Sequence, residues 1–224
     1  MTSSRKSSRD LSTSQLYDDV TGWAMNNLRS FPWRETKDPY KIFLAECLLR
    51  RTTSKAAVRV YESLISKYPD VFHLANADSI EEYLKPVGLY RQRGKQILRG
   101  ARYVAGELKG VFPEEQEGLS RIPGIGEYGA SIIASLAFGQ STPAVDSNVT
   151  RILTRLRGVN WISRKEAEIL LAGVIRGRDT RQFNLGMIDI GGTVCMPIRP
   201  KCYLCPLKQF CRYFRHNAIS LRRK

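Results

Sequence analysis

Leu119-Ser-Arg-Ile-Pro-Gly-Ile-Gly-Glu-Tyr-Gly-Ala130, followed by an apolar run and then by Ala144-Val-Asp-Ser-Asn148, is the stretch on which the reading of this chain turns. Gly124 and Gly126 can take positive φ and bring bare backbone N–H groups close to a ligand, an approach that side-chain-bearing residues obstruct. The helix predicted to open at about Glu127 aims the positive end of its dipole at the same spot. A phosphodiester suits that geometry. Pro-Gly-x-Gly on its own also marks ordinary turns before helices, so the neighbouring residues carry the decision.

Around this hairpin the pattern is helical. Ala130-Ser-Ile-Ile-Ala-Ser-Leu-Ala-Phe138 is apolar almost all round, the mark of a central buried helix. Asp38-Pro39 predicts a capped start, with proline at the first helical position, for a helix through Tyr40 to Leu49. Asp78-Ser-Ile-Glu81 and Ser163-Arg-Lys-Glu166 both read as capping boxes. Apolar residues near Tyr61, Leu64 and Ile65, and near Ile97, Tyr103 and Val104, recur at helical spacing, while strand-like alternation is nearly absent. Residues 1–14, rich in serine and arginine, read as a disordered basic arm.

At 224 residues the chain is long enough for one large domain or two small ones. Its formal charge of +15, from 36 Lys and Arg against 21 Asp and Glu, points to a polyanionic partner, nucleic acid above all. The excess gathers at the end: no acidic residue follows Asp189, whereas Arg199, Lys201, Lys208, Arg212, Arg215, Arg222, Arg223 and Lys224 do. No segment is long and apolar enough to span a bilayer, and the Ser/Arg-rich start lacks the apolar core of a signal peptide. A cytoplasmic, nucleoid-associated protein with no membrane partner is expected.

Four of the five cysteines, Cys195, Cys202, Cys205 and Cys211, are separated by six, two and five residues. Packing alone rarely gathers four thiols into so short a stretch, and disulfides are not expected in a cytosolic protein, so the quartet reads as a metal site. One close pair flanked by two outlying cysteines departs from the two close pairs usual at zinc, and four thiolates near Met196-Pro197 and Pro206 also suit a [4Fe–4S] cube. The residues alone leave both metals open. Cys47, in the apolar Phe43–Leu49 segment, reads as a buried core residue.

The Pro-Gly-Ile-Gly hairpin, Asp146 and the cysteine spacing, in this order, resemble the helix-hairpin-helix (HhH-GPD) DNA glycosylases of the endonuclease III and MutY superfamily. The resemblance runs from about Phe31-Pro-Trp-Arg34 to Cys211. It implies an all-α fold of two lobes with DNA bound across the cleft between them. Residues 34–140 would form a six-helix barrel carrying the hairpin at 119–138. Residues 15–33 and 141–224 would form a discontinuous lobe whose loop at 195–211 holds a [4Fe–4S] cluster. In the family the cluster shapes a basic loop against the DNA backbone and takes no part in bond cleavage. Gly124 and Gly126 would anchor the DNA strand.

By the same resemblance Asp146 matches the family's catalytic aspartate, suited to stabilising an oxocarbenium-like sugar or orienting water as the N-glycosidic bond breaks. Without the resemblance it reads as the N-cap of a helix through Arg151 and Leu153. Glu46 is a carboxylate among apolar neighbours, costly unless paired or used, and burial would keep it protonated and able to donate to the departing base. Bifunctional members carry an imine-forming lysine two residues after the second hairpin glycine. This chain has Tyr128 there, and a phenol forms no imine.

The expectation is a monofunctional DNA glycosylase that leaves an abasic site, with Tyr128 lining the base pocket. Arg51 matches a gap-filling glutamine, Leu89 or Tyr90 matches the wedge loop, and Arg50-Arg51 can reach an orphan guanine or phosphates. Together Glu46, Arg50-Arg51 and Tyr128 resemble the thymine-DNA mismatch glycosylases, which act on T or U opposite G. Adenine glycosylases, acting on A opposite G or 8-oxoguanine, are the runner-up; they typically carry Gln-Gln and serine at these positions and add a C-terminal domain. A non-catalytic DNA-binding hairpin module is the alternative from another class. A monomer acting on double-stranded DNA, followed by an abasic-site endonuclease, completes the expectation.

Overall fold

The computed structural model describes residues 12–50 and 52–221; residues 1–11 of the basic arm and Arg51 lie outside the described residues. Among the described residues every regular element is helical and there is no strand, as the all-α reading requires. The α-helices are α1 (Thr13–Asn27), α2 (Pro39–Leu49), α3 (Ser54–Lys67), α4 (Val71–Ala75), α5 (Glu81–Leu84), α6 (Tyr90–Gly106), α7 (Gln116–Ser120), α8 (Glu127–Phe138), α9 (Ser147–Arg157), α10 (Arg164–Ile175), α11 (Thr180–Asp189) and α12 (Arg212–Leu221). None is long and apolar enough to cross a membrane.

Local chemistry explains most of the helix starts. Ser12 accepts from the Gln15 amide and opens α1, so residues 12–14 belong to a helix start and not to the arm. Asp38 accepts from the Tyr40 and Lys41 amides while Pro39 takes the first position of α2, where a missing N–H costs nothing. α10 starts on a full capping box between Ser163 and Glu166. The parallel expectation at Asp78-Ser-Ile-Glu81 is corrected. There the buried Ile80 is the N-cap of α5 and its side chain makes no cap, while Ser79 Oγ, and not Asp78, accepts the Glu81 amide. Burial of Ile80 sets the chain path, and a four-residue helix running straight into the Lys85–Val87 turn does not recruit Asp78.

Contacts divide the chain into two compact units, one of residues 29–144 and one made of residues up to Leu28 together with those from Val145 on. The boundaries of the sequence reading fall at 33/34 and 140/141. In the unit 29–144, α8 is the central helix: residues 129 to 136 are all buried, and α2 and α7 pack on it. Full burial of each large side chain there, such as Ile132, Ile133 and Leu136, stabilises by about 1.5–3 kcal/mol. Phe43 of α2 is wholly buried and lies tilted against Phe112. At Gly100 of α6 an added Cβ would stand 2.6 Å from the Pro123 carbonyl oxygen and 2.8 Å from the Phe43 ring, so only glycine lets α6 pack this closely on the hairpin.

The other unit has its own core, built from α1, α9, α10 and α11 around residues such as Val20, Val149, Leu153, Leu171 and Phe183. On α9 the buried residues Val149, Ile152, Leu153 and Leu156 make one apolar stripe at helical spacing. A π turn, Ile190–Val194, continues α11 and delivers the chain to the cysteine segment.

Gly100→Ala is expected to cost about 1–3 kcal/mol through overpacking. Gly173→Ala in α10, where nothing lies within 4 Å of the added methyl, is expected to be neutral or to stabilise by about 0.5–1 kcal/mol. Urea denaturation of the two variants against the parent checks both signs.

Candidate functional site

The hairpin between α7 and α8 is anchored by two buried isoleucines, Ile122 and Ile125, and closed by the Ile125 amide donating to the Ile122 carbonyl at 3.0 Å. Gly124 has φ +89, a conformation L side chains rarely adopt, and its α-carbon faces the Gln96 carbonyl. Gly126 corrects the expectation. Its φ is −94, and it serves as the extended N-cap of α8 with open space around it. Glycine is an accepted N-cap residue, and here no side-chain hydrogen bond caps the helix. What Gly126 contributes is an unobstructed approach to the positive end of α8.

Glu46, half-buried on α2, meets that same end. A Cβ at Gly129 would lie 3.8 Å from both Cβ and Oε2 of Glu46, so the carboxylate sits against the first turn of α8, beside the residue that follows half-buried Tyr128. A carboxylate is favoured at a helix N-terminus. Its neighbour Cys47 is a core residue as expected. Burial, with the Glu46 charge adding to it, pushes the thiol up to about 12, which leaves it unreactive.

Arg50, exposed just past α2, donates from Nη1 to the Gly124 carbonyl at 3.3 Å and so ties the end of α2 to the hairpin turn. Arg51 lies outside the described residues. Of the two wedge candidates, Leu89 is the exposed one, at 60% accessibility, and it is held at φ +49, ψ 29. Placing a leucine in that left-handed region costs about 1–3 kcal/mol. Tyr90 opens α6 half-buried, with the Arg91 guanidinium over its ring at 5.7 Å. Beneath them lies Arg93, only 6% exposed, which sequence reasoning passed over. Its signal was positional: Arg93 falls on the same helical stripe as buried Ile97, Ala101 and Val104.

Asp146 is the N-cap of α9. Its Oδ1 accepts from the Asn148 and Val149 amides at 2.8 and 2.9 Å, and its Oδ2 accepts from Asn148 Nδ2 at 2.8 Å. A carboxylate has about four lone-pair sites, so this arrangement leaves roughly one, on Oδ2, for anything else. The amide of Asn148 is oriented from behind. Arg151 Nη2 donates to Asn148 Oδ1 at 2.7 Å, and a guanidinium can only donate, so the amide nitrogen must face Asp146. Arg151 also donates to the carbonyls of Gly191 and Cys195, and Arg155 donates to those of Met196 and Pro197. One helix therefore carries the aspartate at its head and grips the cysteine segment along its side.

Cys195, Cys202, Cys205 and Cys211 are free thiols lining one small pocket with Arg155, Lys208 and Tyr213. Arg155 Nη1 lies 3.4 Å from Cys195 Sγ. Burial, with the neighbouring sulfurs adding to it, raises the Cys202 and Cys211 thiols and pushes Cys205 up to about 12. Four thiolates in one pocket are thus costly unless a cationic centre compensates them, which is what a thiolate-bound metal group supplies. Among the described residues no three His, Cys, Asp or Glu side chains converge as ligands of a single ion. The candidate site residues group by unit: Glu46, Arg50, Leu89, Gly124 and Tyr128 belong to residues 29–144, and Asp146 and the cysteines belong to the other unit.

Residues 44–176 match the HhH-GPD superfamily base excision DNA repair protein family. The chain is 34% identical over 198 residues to the thymine-DNA glycosylase of Aeropyrum pernix, which spans 84% of this chain and 89% of the relative. It is 33% identical over 202 residues to the thymine/uracil-DNA glycosylase of Methanothermobacter thermautotrophicus, covering 87% and 90%. An adenine DNA glycosylase of Buchnera aphidicola is 34% identical over 200 residues, which make up 86% of this chain but 57% of that protein. Among solved structures, a thermostable thymine-DNA glycosylase superposes with a TM-score of 0.86 at 30% identity, covering 91% of this chain and 97% of the other. The chain belongs to the HhH-GPD superfamily.

Proposed function

We propose that this HhH-GPD protein is a monofunctional DNA glycosylase that removes thymine or uracil mispaired with guanine and leaves an abasic site. The observation that carries the reading is Asp146, a carboxylate locked by three hydrogen bonds at the head of α9 with one lone pair of Oδ2 remaining. As the C1′–N bond breaks, its electron pair leaves with the base and the sugar becomes cationic. An oriented carboxylate stabilises that charge, and water then attacks C1′ and gives up a proton. Glu46, at the first turn of α8, is assigned to the departing base: the helix end favours its carboxylate form, so it must first take up a proton before it can donate one to the base. Tyr128 holds the position of the imine-forming lysine, so no Schiff base forms and the strand stays intact.

The choice of base rests on the relatives. Two named for thymine or for thymine and uracil are 34% and 33% identical to this chain, and Arg50-Arg51 and Tyr128 stand where adenine glycosylases typically carry Gln-Gln and serine. The hairpin is assigned the DNA backbone: the positive end of α8, where Gly126 adds no side chain, and the positive-φ turn at Gly124 favour a phosphate. The excess of basic residues favours the same polyanion. The cysteine quartet is assigned a [4Fe–4S] cluster, whose cationic core would partly compensate the four gathered thiolates and tie the basic segment around it together. The protein acts as a cytoplasmic, nucleoid-associated monomer, and an abasic-site endonuclease consumes its product.

Asn caps a helix as well as Asp, so Asp146→Asn keeps the fold while removing the charge. Single-turnover release of thymine from a T·G duplex is expected to fall about 100-fold or more in this variant. Unchanged release would remove Asp146 from the chemistry. For the cluster, purified protein is expected to show a broad visible absorbance that Cys205→Ala diminishes; colourless parent protein holding zinc would contradict the iron assignment.

A further inference from the structure

We infer that Arg93 is a positioning residue that holds the wedge loop and the loop after α2 in one register, so that Leu89 is presented rigidly to the DNA stack; this rests on the glycosylase reading above. Arg93 Nη1 donates to Thr52 Oγ1 and to the Val87 carbonyl, both at 2.9 Å, and Nη2 donates to the Arg50 carbonyl. Thr52 Oγ1 in turn donates to the Val87 carbonyl at 3.1 Å. No carboxylate is among these partners. Among the described residues its hydrogen-bond partners are carbonyl and hydroxyl dipoles, an arrangement an apolar side chain would spare. What the guanidinium adds is a rigid fork of donors that spans two loops at once, which neither a lysine nor an apolar residue reproduces.

The placement follows from the helix. Side chains on an α-helix lean toward its N-terminus, so a residue in the first turns of α6 reaches back to the segment that precedes it. Two donors thereby grip the carbonyl of Val87, two residues before Leu89. Leu89 needs that grip, because a left-handed leucine persists only where its surroundings over-determine the backbone. The same guanidinium fixes the carbonyl of Arg50, whose own side chain reaches the Gly124 carbonyl in the hairpin. Wedge loop, post-α2 loop and hairpin are thus joined through two arginines within one unit. Force exerted on Leu89 as it displaces a base is carried into the α6 stem.

The test uses two duplexes, one undamaged and one carrying a tetrahydrofuran abasic-site analogue opposite guanine, with Arg93→Met and Arg93→Lys. The preference for the abasic duplex is expected to fall about tenfold or more in Arg93→Met and by a smaller factor in Arg93→Lys, while affinity for undamaged duplex stays within about twofold. Excision from T·G is expected to fall alongside, and excision of uracil placed opposite the abasic analogue, where no pair needs breaking, is expected to fall far less. An unchanged preference in folded Arg93→Met overturns the inference. So does an equal loss on every duplex and substrate in Arg93→Lys, which also serves if the methionine variant does not fold. The affinity ratio is read without catalysis. A parent chain that excises nothing, yet whose preference collapses in the Arg93 variants, removes the glycosylase reading and keeps the positioning role.

Discussion

Everything around the hairpin depends on the burial of α8 on all its sides. Eight consecutive residues, Gly129 to Leu136, are out of water, so the helix has no polar face and can present function only at its ends. Its N-terminal end receives the hairpin, and the packing of α2 then brings Glu46 to the first turn beside Gly129. Had any one side of α8 faced solvent, the hairpin would rest on a helix free to tilt. Instead two buried isoleucines, Ile122 and Ile125, and the close approach of α6 at Gly100 clamp it from both directions.

The second unit solves a similar problem with an amphipathic helix. α9 buries one stripe and leaves the other for work, with Asp146 at its head and Arg151 and Arg155 along its side. An aspartate at a helix start is held in place by the amides it caps, so a structural device and a chemical one coincide in one residue. The cap explains why this carboxylate is rigid. The amides of Asn148 and Val149 occupy one oxygen, and the Asn148 side chain, turned by Arg151, takes one lone pair of the other and leaves it partly open.

Much of this was legible in the sequence because it rests on short-range rules. The Asp38-Pro39 start, the Ser163–Glu166 capping box, the opening of α8 at Glu127 and the apolar circumference of that helix all follow from residues within one or two turns of each other. The failures have the same origin. Asp78-Ser-Ile-Glu81 has the letters of a capping box, but burial of Ile80 from elsewhere in the fold overrides it. Gly126 reads as a second positive-φ residue, whereas a single positive φ at Gly124 already closes the turn and Gly126 is needed as a small cap. Arg93 looks like one more surface cation in Arg-Gln-Arg-Gly, and two of its three acceptors, Arg50 and Thr52, lie 43 and 41 residues away and are invisible to local pattern. The grip of Arg151 and Arg155 on the cysteine segment is hidden for the same reason.

In the proposed function a fixed aspartate serves the removal of a mispaired pyrimidine, and an imine-incompetent tyrosine spares the strand. The most direct measurement is single-turnover excision from T·G, U·G, A·G and A·8-oxoguanine duplexes, each analysed before and after alkali. Release of thymine and uracil opposite guanine is expected, with strand breaks only after alkali. Preferential release of adenine, or strand breaks before alkali, would contradict the proposed function.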